Sequence, residues 1–489
     1  MAGARPVHPV DRALGGRQLA ALITGPADTR LGYRELARAV RSLVLNGRIA
    51  LHMRLPAERA LASALGISRA TVTAAYDLLR ESGYAHSRRG AGTWTSLPDG
   101  QRPTSIASFP TGEQDTIDLA LASPAAPEGA VAEALTEATA LLPRHTAAPG
   151  YHPYGLPDLR AAVADRFTRR GLPTLPDQIL ITSGAQHALA LVLALLGGPG
   201  DRVMAENPSY TNGLDALRRA RLRIASVPVT EAGWDTGLIE STLRQTTPRL
   251  AYLIPDFHNP TGSLMPDEQR VDVLRVAHRT DTWLVIDESI ADIALDVPPP
   301  APFASLAHPS QGSQVITIGS LSKSCWGGLR VGWVRATSQL VTELAALRMT
   351  VDMAGSVLDQ LVALALLDRL DDVLPRRRER LRTQRDALAV ALDRHLPDWV
   401  WNVPPGGLCL WVDLGHPGAA ALADRALGYG IRVEGGARFG VDPGTHEHRL
   451  RLPYTLPAHV YDTAAERLAA ALEGVPLHAT HAQRPHWVA

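Results

Sequence analysis

Residues 320–330 read Ser-Leu-Ser-Lys-Ser-Cys-Trp-Gly-Gly-Leu-Arg, and the lysine among them, Lys323, is the only lysine in 489 residues. Lys and Arg together number 49, so arginine supplies every other cation of this kind. A guanidinium carries charge and grips phosphates, but it is not a usable amine nucleophile. A retained lysine therefore marks a place where the amine itself reacts, most directly as a Schiff base with an aldehyde. The alternative, a chance survivor, has to be weighed against what surrounds it.

Outward from this stretch, short β-like runs recur at Ile179–Thr182, Arg202–Ala205, Leu250–Ile254, Trp283–Asp287, Val315–Ile318 and Val331–Val334. Helical stretches lie between them. Such alternation predicts an α/β domain with a mostly parallel sheet, whose ligands gather beyond the carboxyl ends of the strands. The residues following these runs are suggestive. Ser183-Gly184-Ala185-Gln186 opens an apolar helix whose first N–H groups suit a phosphate. Tyr210, after Asn207-Pro208-Ser209, offers a ring for stacking. Asn259, in Asn-Pro-Thr-Gly, could donate to a phenolic oxygen. Asp287 ends a strand, where a buried carboxylate needs a cationic partner such as a pyridinium. Ser320, Ser322 and Arg330 flank Lys323, and the arginine could pair with a phosphate dianion.

The order and spacing of these pieces are more specific than any one of them. From Ile117 to Leu477 the chain is similar to fold-type I pyridoxal-phosphate enzymes of the aminotransferase family. That resemblance implies a Schiff base at Lys323, a pyridinium contact at Asp287, stacking by Tyr210 and an O3′ contact by Asn259. It implies phosphate contacts from Ala185, Gln186, Ser320, Ser322 and Arg330. Arg449-Leu-Arg451-Leu-Pro-Tyr resembles the strand whose arginine grips a substrate α-carboxylate, with Arg451 the better match. Members usually carry a tyrosine two or three residues after the aspartate; here Ser289 and Ile290 stand there. The resemblance thus carries over cofactor binding more firmly than transaminase turnover.

The formal charge is zero overall, yet residues 30–96 hold eleven arginines against Glu35, Glu58, Asp77 and Glu81, a net +7. The remainder must carry −7, which points to a basic module that meets a polyanion. Leu36, Val40, Leu43 and Val44 predict a helix over Tyr33–Asn46. A second is expected over Ala57–Leu65, then a turn at Gly66 and a third helix capped by Ser68 and running to about Glu81. A β-hairpin with Arg88, Arg89 and Gly90 at its tip follows. This stretch resembles the winged helix-turn-helix of GntR-type bacterial regulators, although His52-Met53 replaces their usual Pro-Gly. By that resemblance Arg59 and Arg69 contact double-stranded DNA, Ser68 and Thr71 the phosphates or base edges, and Arg88 and Arg89 the wing-side groove.

The expected organisation is an N-terminal extension (1–29), the winged helix (30–96), a Pro/Gly-containing linker (97–114), the aminotransferase-like domain (115–477, with a smaller α+β subdomain from about 376) and a tail (478–489). Extended, the linker spans roughly 60 Å, so the two modules need not touch. No apolar run is long enough to cross a membrane, no secretory signal opens the chain, and two cysteines make no disulfide framework, so a cytoplasmic protein is expected. His446, His448 and the tail histidines give no convincing metal site. Together the modules resemble the MocR group of regulators. That resemblance implies a pyridoxal 5′-phosphate-binding transcription factor, a head-to-tail homodimer, answering an amino-acid or amine effector, or the cofactor itself. The alternative is a working aminotransferase with an accessory DNA-binding domain.

Overall fold

The computed structural model describes residues 12–23, 31–88, 92–98, 116–309 and 311–473. The tip of the wing, most of the linker and the tail lie outside them.

Three helices make the first module: Tyr33–Leu45, Glu58–Leu65 and Arg69–Glu81. Each ends where its sequence stops supporting it. Gly66 takes the left-handed conformation that closes the second helix, and the Ser68 hydroxyl accepts the Thr71 amide to start the third. Their apolar faces bury Leu36, Val40, Val44, Leu61, Val72 and Tyr76 in one core. The wing strands, Ala85–Arg88 and Gly92–Thr95, pair antiparallel. Part of the expected N-terminal extension belongs here too. Arg12–Ala13 runs parallel to Met53–Arg54 as the outer strand of the module's sheet, and helix Gly16–Ile23 lies on Glu58–Leu65, with Gly16 against the Ala60 backbone.

The large domain is built on eight strands in the spatial order Ile179–Thr182, Gly332–Arg335, Val315–Ser320, Trp283–Asp287, Leu250–Leu253, Arg202–Asn207, Arg223–Thr230 and Gly233–Trp234. Five neighbours, from Val315–Ser320 to Arg223–Thr230, are parallel. Gly332–Arg335 is antiparallel to both its neighbours. Apolar clusters cover both faces, as a parallel sheet requires. A four-stranded sheet forms the smaller unit, and it recruits Ile117–Leu119 from the far end of the domain, parallel to Ile431–Gly435. Helix Leu370–His395 spans the expected boundary near 376 without a break in its assignment. The DNA-binding module is not suspended on its linker: it rests on the large domain, with Leu238 contributing to its core.

Candidate cofactor site and nucleic-acid interface

Beyond the carboxyl ends of the parallel strands lies a cavity of about 1080 Å³. Its lining includes Ala185, Gln186, Tyr210, Asn259, Asp287, Ser289, Ile290, Ser320, Ser322, Lys323 and Arg330, so every residue chosen from sequence for the cofactor meets in one place, while Arg451 does not line it.

At one end sits an anion cradle. Helix Ala185–Leu196 presents first-turn amides that have no intrahelical acceptor. Gly184, at φ 94° and ψ 169°, occupies a region essentially closed to side-chain-bearing residues. A Cβ there would stand 2.8 Å from Arg330 Nη2. That guanidinium lies across the glycine, donating to the carbonyls of Ser183 (2.8 Å) and Gly327 (3.3 Å). Beside it the Ser320 and Ser322 hydroxyls are 2.8 Å apart. A cation, two hydroxyls and a helix N-terminus are the groups that could hold a dianion.

At the other end sit the carboxylate and the amine. Burial pushes the Asp287 carboxyl above the usual range, opposed by hydrogen bonds from Ser289, whose amide donates at 2.9 Å, and from the Tyr252 hydroxyl at 3.0 Å, and by the charge of Lys323. Tyr252 was not anticipated. It lies within the apolar run Leu250–Leu253, which reads as plain core. Lys323 Nζ donates to the Ala122 carbonyl at 2.9 Å. Burial, then the positive charge of Arg451, pull its amine down to about 8, against the pull of Asp287. About a quarter of such amines are neutral and nucleophilic at pH 7.5.

Orphaned polar atoms complete the fit. Gln186 Oε1 and Asn259 Oδ1 are buried on this cavity without a hydrogen-bond partner. Buried polar atoms without partners are costly, and a polar ligand relieves them. The Tyr210 ring lines the same space, its hydroxyl held by Asn212 at 3.0 Å. Ile290, one of the two residues standing where the aminotransferase resemblance implies a tyrosine, lines the cavity and packs into the apolar core of the smaller unit.

Arg451 stands behind this wall rather than on it. It is fully buried, donates through Nη2 to the Ala120 carbonyl and lies over the Phe439 ring at 5.0 Å. The nearby Glu434 carboxyl is pushed up to about 7 by burial. The Arg449 side chain instead pairs with Glu231 (2.8 Å) and Asp413 (3.1 Å).

On the DNA-binding module, Arg59, Ser68 and Arg69 are exposed at one end of the helix pair, with Thr71 half-buried beside them. Arg69 is 58% exposed and is steadied by Glu58 at 3.0 Å. The hydroxyls of Ser68 and Thr71 are 2.8 Å apart, so both serve the cap. Arg88 ends a wing strand; its side chain and the whole of Arg89 lie outside the described residues. Among the described residues no cluster could hold a metal ion, and no helix is long and apolar enough to cross a membrane.

Comparison with known proteins agrees with both halves. Residues 114–468 match the family model for aminotransferase class I and II. The chain belongs to that family. Residues 32–94 match the model for bacterial regulatory proteins of the gntR family. The combination recurs in relatives. An uncharacterized HTH-type transcriptional regulator, YisV of Bacillus subtilis, is 28% identical over 78% of this chain and 83% of its own. The probable rhizopine catabolism regulatory protein MocR of Rhizobium meliloti is 30% identical over 75% and 78% respectively. Among solved structures, the α-aminoadipate aminotransferase LysN of Thermus thermophilus, bound to N-(5′-phosphopyridoxyl)-L-leucine, superposes with a TM-score of 0.69 at 30% identity, covering 74% of this chain and 93% of that one. This aminotransferase-family chain is therefore a gntR-type regulator fused to an aminotransferase-like domain, and its cofactor is pyridoxal 5′-phosphate.

Proposed function

We propose that the protein senses an amino compound, or pyridoxal phosphate itself, in the large domain and answers by changing how its winged helix engages DNA. The convergence of Lys323, Asp287, Tyr210, Asn259 and the Arg330 cradle on one cavity carries this reading. Lys323 would hold the cofactor through its amine, Asp287 would pair with the ring nitrogen, and Tyr210 would cover the ring face. Asn259 would hydrogen-bond the phenolic oxygen. Ala185, Gln186, Ser320, Ser322 and Arg330 would hold the phosphate. When bound, the cofactor supplies an aldehyde able to capture primary amines. Arg451 would serve an effector carboxylate, and its present bond to Ala120 would have to open for it to do so. Arg59, Arg69, Ser68, Thr71, Arg88 and Arg89 would contact an operator, in a cytoplasmic homodimer.

A ligand shifts such a protein only by as much as its affinity differs between the two arrangements. The supporting experiment pairs absorbance with DNA binding. Protein loaded with pyridoxal phosphate should absorb near-visible light in wild type and lose that band in Lys323→Ala, and an amino acid should alter DNA affinity only in the former. Colourless wild-type protein defeats the proposal. The second reading, an active aminotransferase, is favoured by Arg451 and opposed by Ile290; robust turnover of amino acids with a 2-oxoacid would establish it instead.

A further inference from the structure

The back wall of the cavity and the seat of the DNA-binding module draw on one short stretch of chain, residues 207–210. Tyr210 lines the cavity, and three residues earlier Asn207 ends its strand fully buried. The Asn207 side chain is used at both ends. Its Oδ1 accepts from the Val441 amide (3.1 Å) and from His446 Nε2 (3.2 Å), and its Nδ2 donates to the Gly47 carbonyl (3.3 Å). Burial holds the His446 ring neutral, its pKa lowered to about 3, so Nε2 carries the proton that an amide oxygen requires.

Gly47 belongs to the turn after helix Tyr33–Leu45 of the DNA-binding module. The same turn is held twice more: the His446 amide donates to the Leu45 carbonyl (2.8 Å), and the Leu51 amide to Asp442 (2.8 Å). The segment that supplies Val441, Asp442 and His446 also reaches the ligand side. The Phe439 carbonyl accepts the Ser209 amide (2.9 Å), and the Phe439 ring carries Arg451. From the cavity to the helix-turn-helix there are thus few steps, through buried or half-buried groups with fixed partners.

We infer that Asn207 is the positioning residue through which the state of the cofactor cavity reaches the DNA-binding module, with the 439–446 segment as the moving part. Movement of Tyr210 or Arg451 displaces Ser209 or Phe439. Asn207 then cannot satisfy Gly47, Val441 and His446 together, and the turn at 45–52 loosens or re-seats. The inference rests on the cofactor-binding reading above. Because coupling between sites is reciprocal, a change made on the DNA-binding side must also alter cofactor affinity.

Two variants address the link from opposite ends. Asn207→Ala removes it from the cavity side. Gly47→Ala attacks it from the other, because the turn sits at φ +64° and a Cβ would meet Asn207 Nδ2 and His446 Nε2 at 2.6 Å. Hydrogen exchange of the full chain, with and without pyridoxal phosphate, reads two places: the phosphate seat (183–187 and 320–330) and the turn at 45–52. In wild type both should respond. In both variants the seat should still respond while the turn no longer does, and Gly47→Ala should shift the pyridoxal phosphate Kd at least fivefold although it touches no cofactor-binding residue. A wild-type turn indifferent to the cofactor, an undiminished response in both variants, or an unchanged Kd overturns the inference and leaves the cofactor reading standing. A seat that never responds in wild type overturns the cofactor reading, and the inference with it.

Discussion

Replacing Lys323 by methionine keeps a side chain of similar length and removes the only ε-amine. An ordinary lysine holds its proton to 10.5, and burial lowers Lys323 to about 8. Between those values the unfolded chain binds a proton that the folded chain has released, so stability rises with pH across that window. Below pH 8 the folded, cofactor-free protein bears the whole cost of an ammonium removed from water, about 3 kcal/mol at roughly 1.4 kcal/mol per pH unit. The lost bond to the Ala122 carbonyl offsets about 1 kcal/mol of that. Cofactor-free Lys323→Met is therefore expected to be about 2 kcal/mol more stable than wild type at pH 7, with the advantage gone by about pH 10. The composition isolates the effect: no other lysine titrates, and the tyrosines and both thiols are common to the two proteins. Urea unfolding followed by tryptophan fluorescence at pH 7, 8.5 and 10 measures it. A wild-type-to-variant difference that is flat across this range, or a variant less stable at pH 7, refutes the argument that burial depresses this amine.

Gly184→Ala forces a Cβ into both a forbidden backbone region and the Arg330 guanidinium, at about 1–3 kcal/mol, so pyridoxal phosphate should bind at least about fivefold more weakly by fluorescence titration. Tyr252→Phe removes one donor from Asp287 and should weaken the cofactor about fivefold, with the absorbance of the bound cofactor titrating at a shifted pH. Arg69→Ala should weaken DNA binding and lower the salt dependence of log K by about one if it meets a phosphate, which a salt series of binding isotherms would register. Ser68→Ala strips the cap from helix Arg69–Glu81 and should lower the module's stability by about 1 kcal/mol in thermal unfolding.

The cavity was legible because its chemistry lies in turns. Gly184, Asn259 and Arg330 lie in turns and Ser320 ends its strand, and residues at such places carry few packing demands that would disguise their role. Lys323 was legible because arginine had replaced its kind everywhere else. Tyr252 was hidden because, inside Leu250–Leu253, a tyrosine supporting Asp287 looks like any core aromatic. Arg12–Ala13 and Ile117–Leu119 are too short to show a period-two pattern, and their pairing partners lie far along the chain. The part played by His446 was illegible for a related reason. A histidine in the polar run Thr-His-Glu-His-Arg reads as surface, and only the folded chain shows the ring buried against Asn207.

The strand Arg12–Ala13 also bears on how the protein is made. The sheet of the DNA-binding module can close once Trp94 has left the ribosome, long before the large domain exists. Arg12 is the exception. Its guanidinium donates to the Ser226 carbonyl at 2.7 Å, and it faces Asp442, while burial holds it down to about 10. Residue 442 emerges roughly 20–90 s after residue 12 at 5–20 residues per second. Within the first half of that interval the nascent chain carries a complete winged helix while neither partner of Arg12 exists; the Ser226 carbonyl emerges about midway, and Asp442 at the end. The seat of the DNA-binding module is thus complete only after the segment around Asp442, late in the chain, has been made.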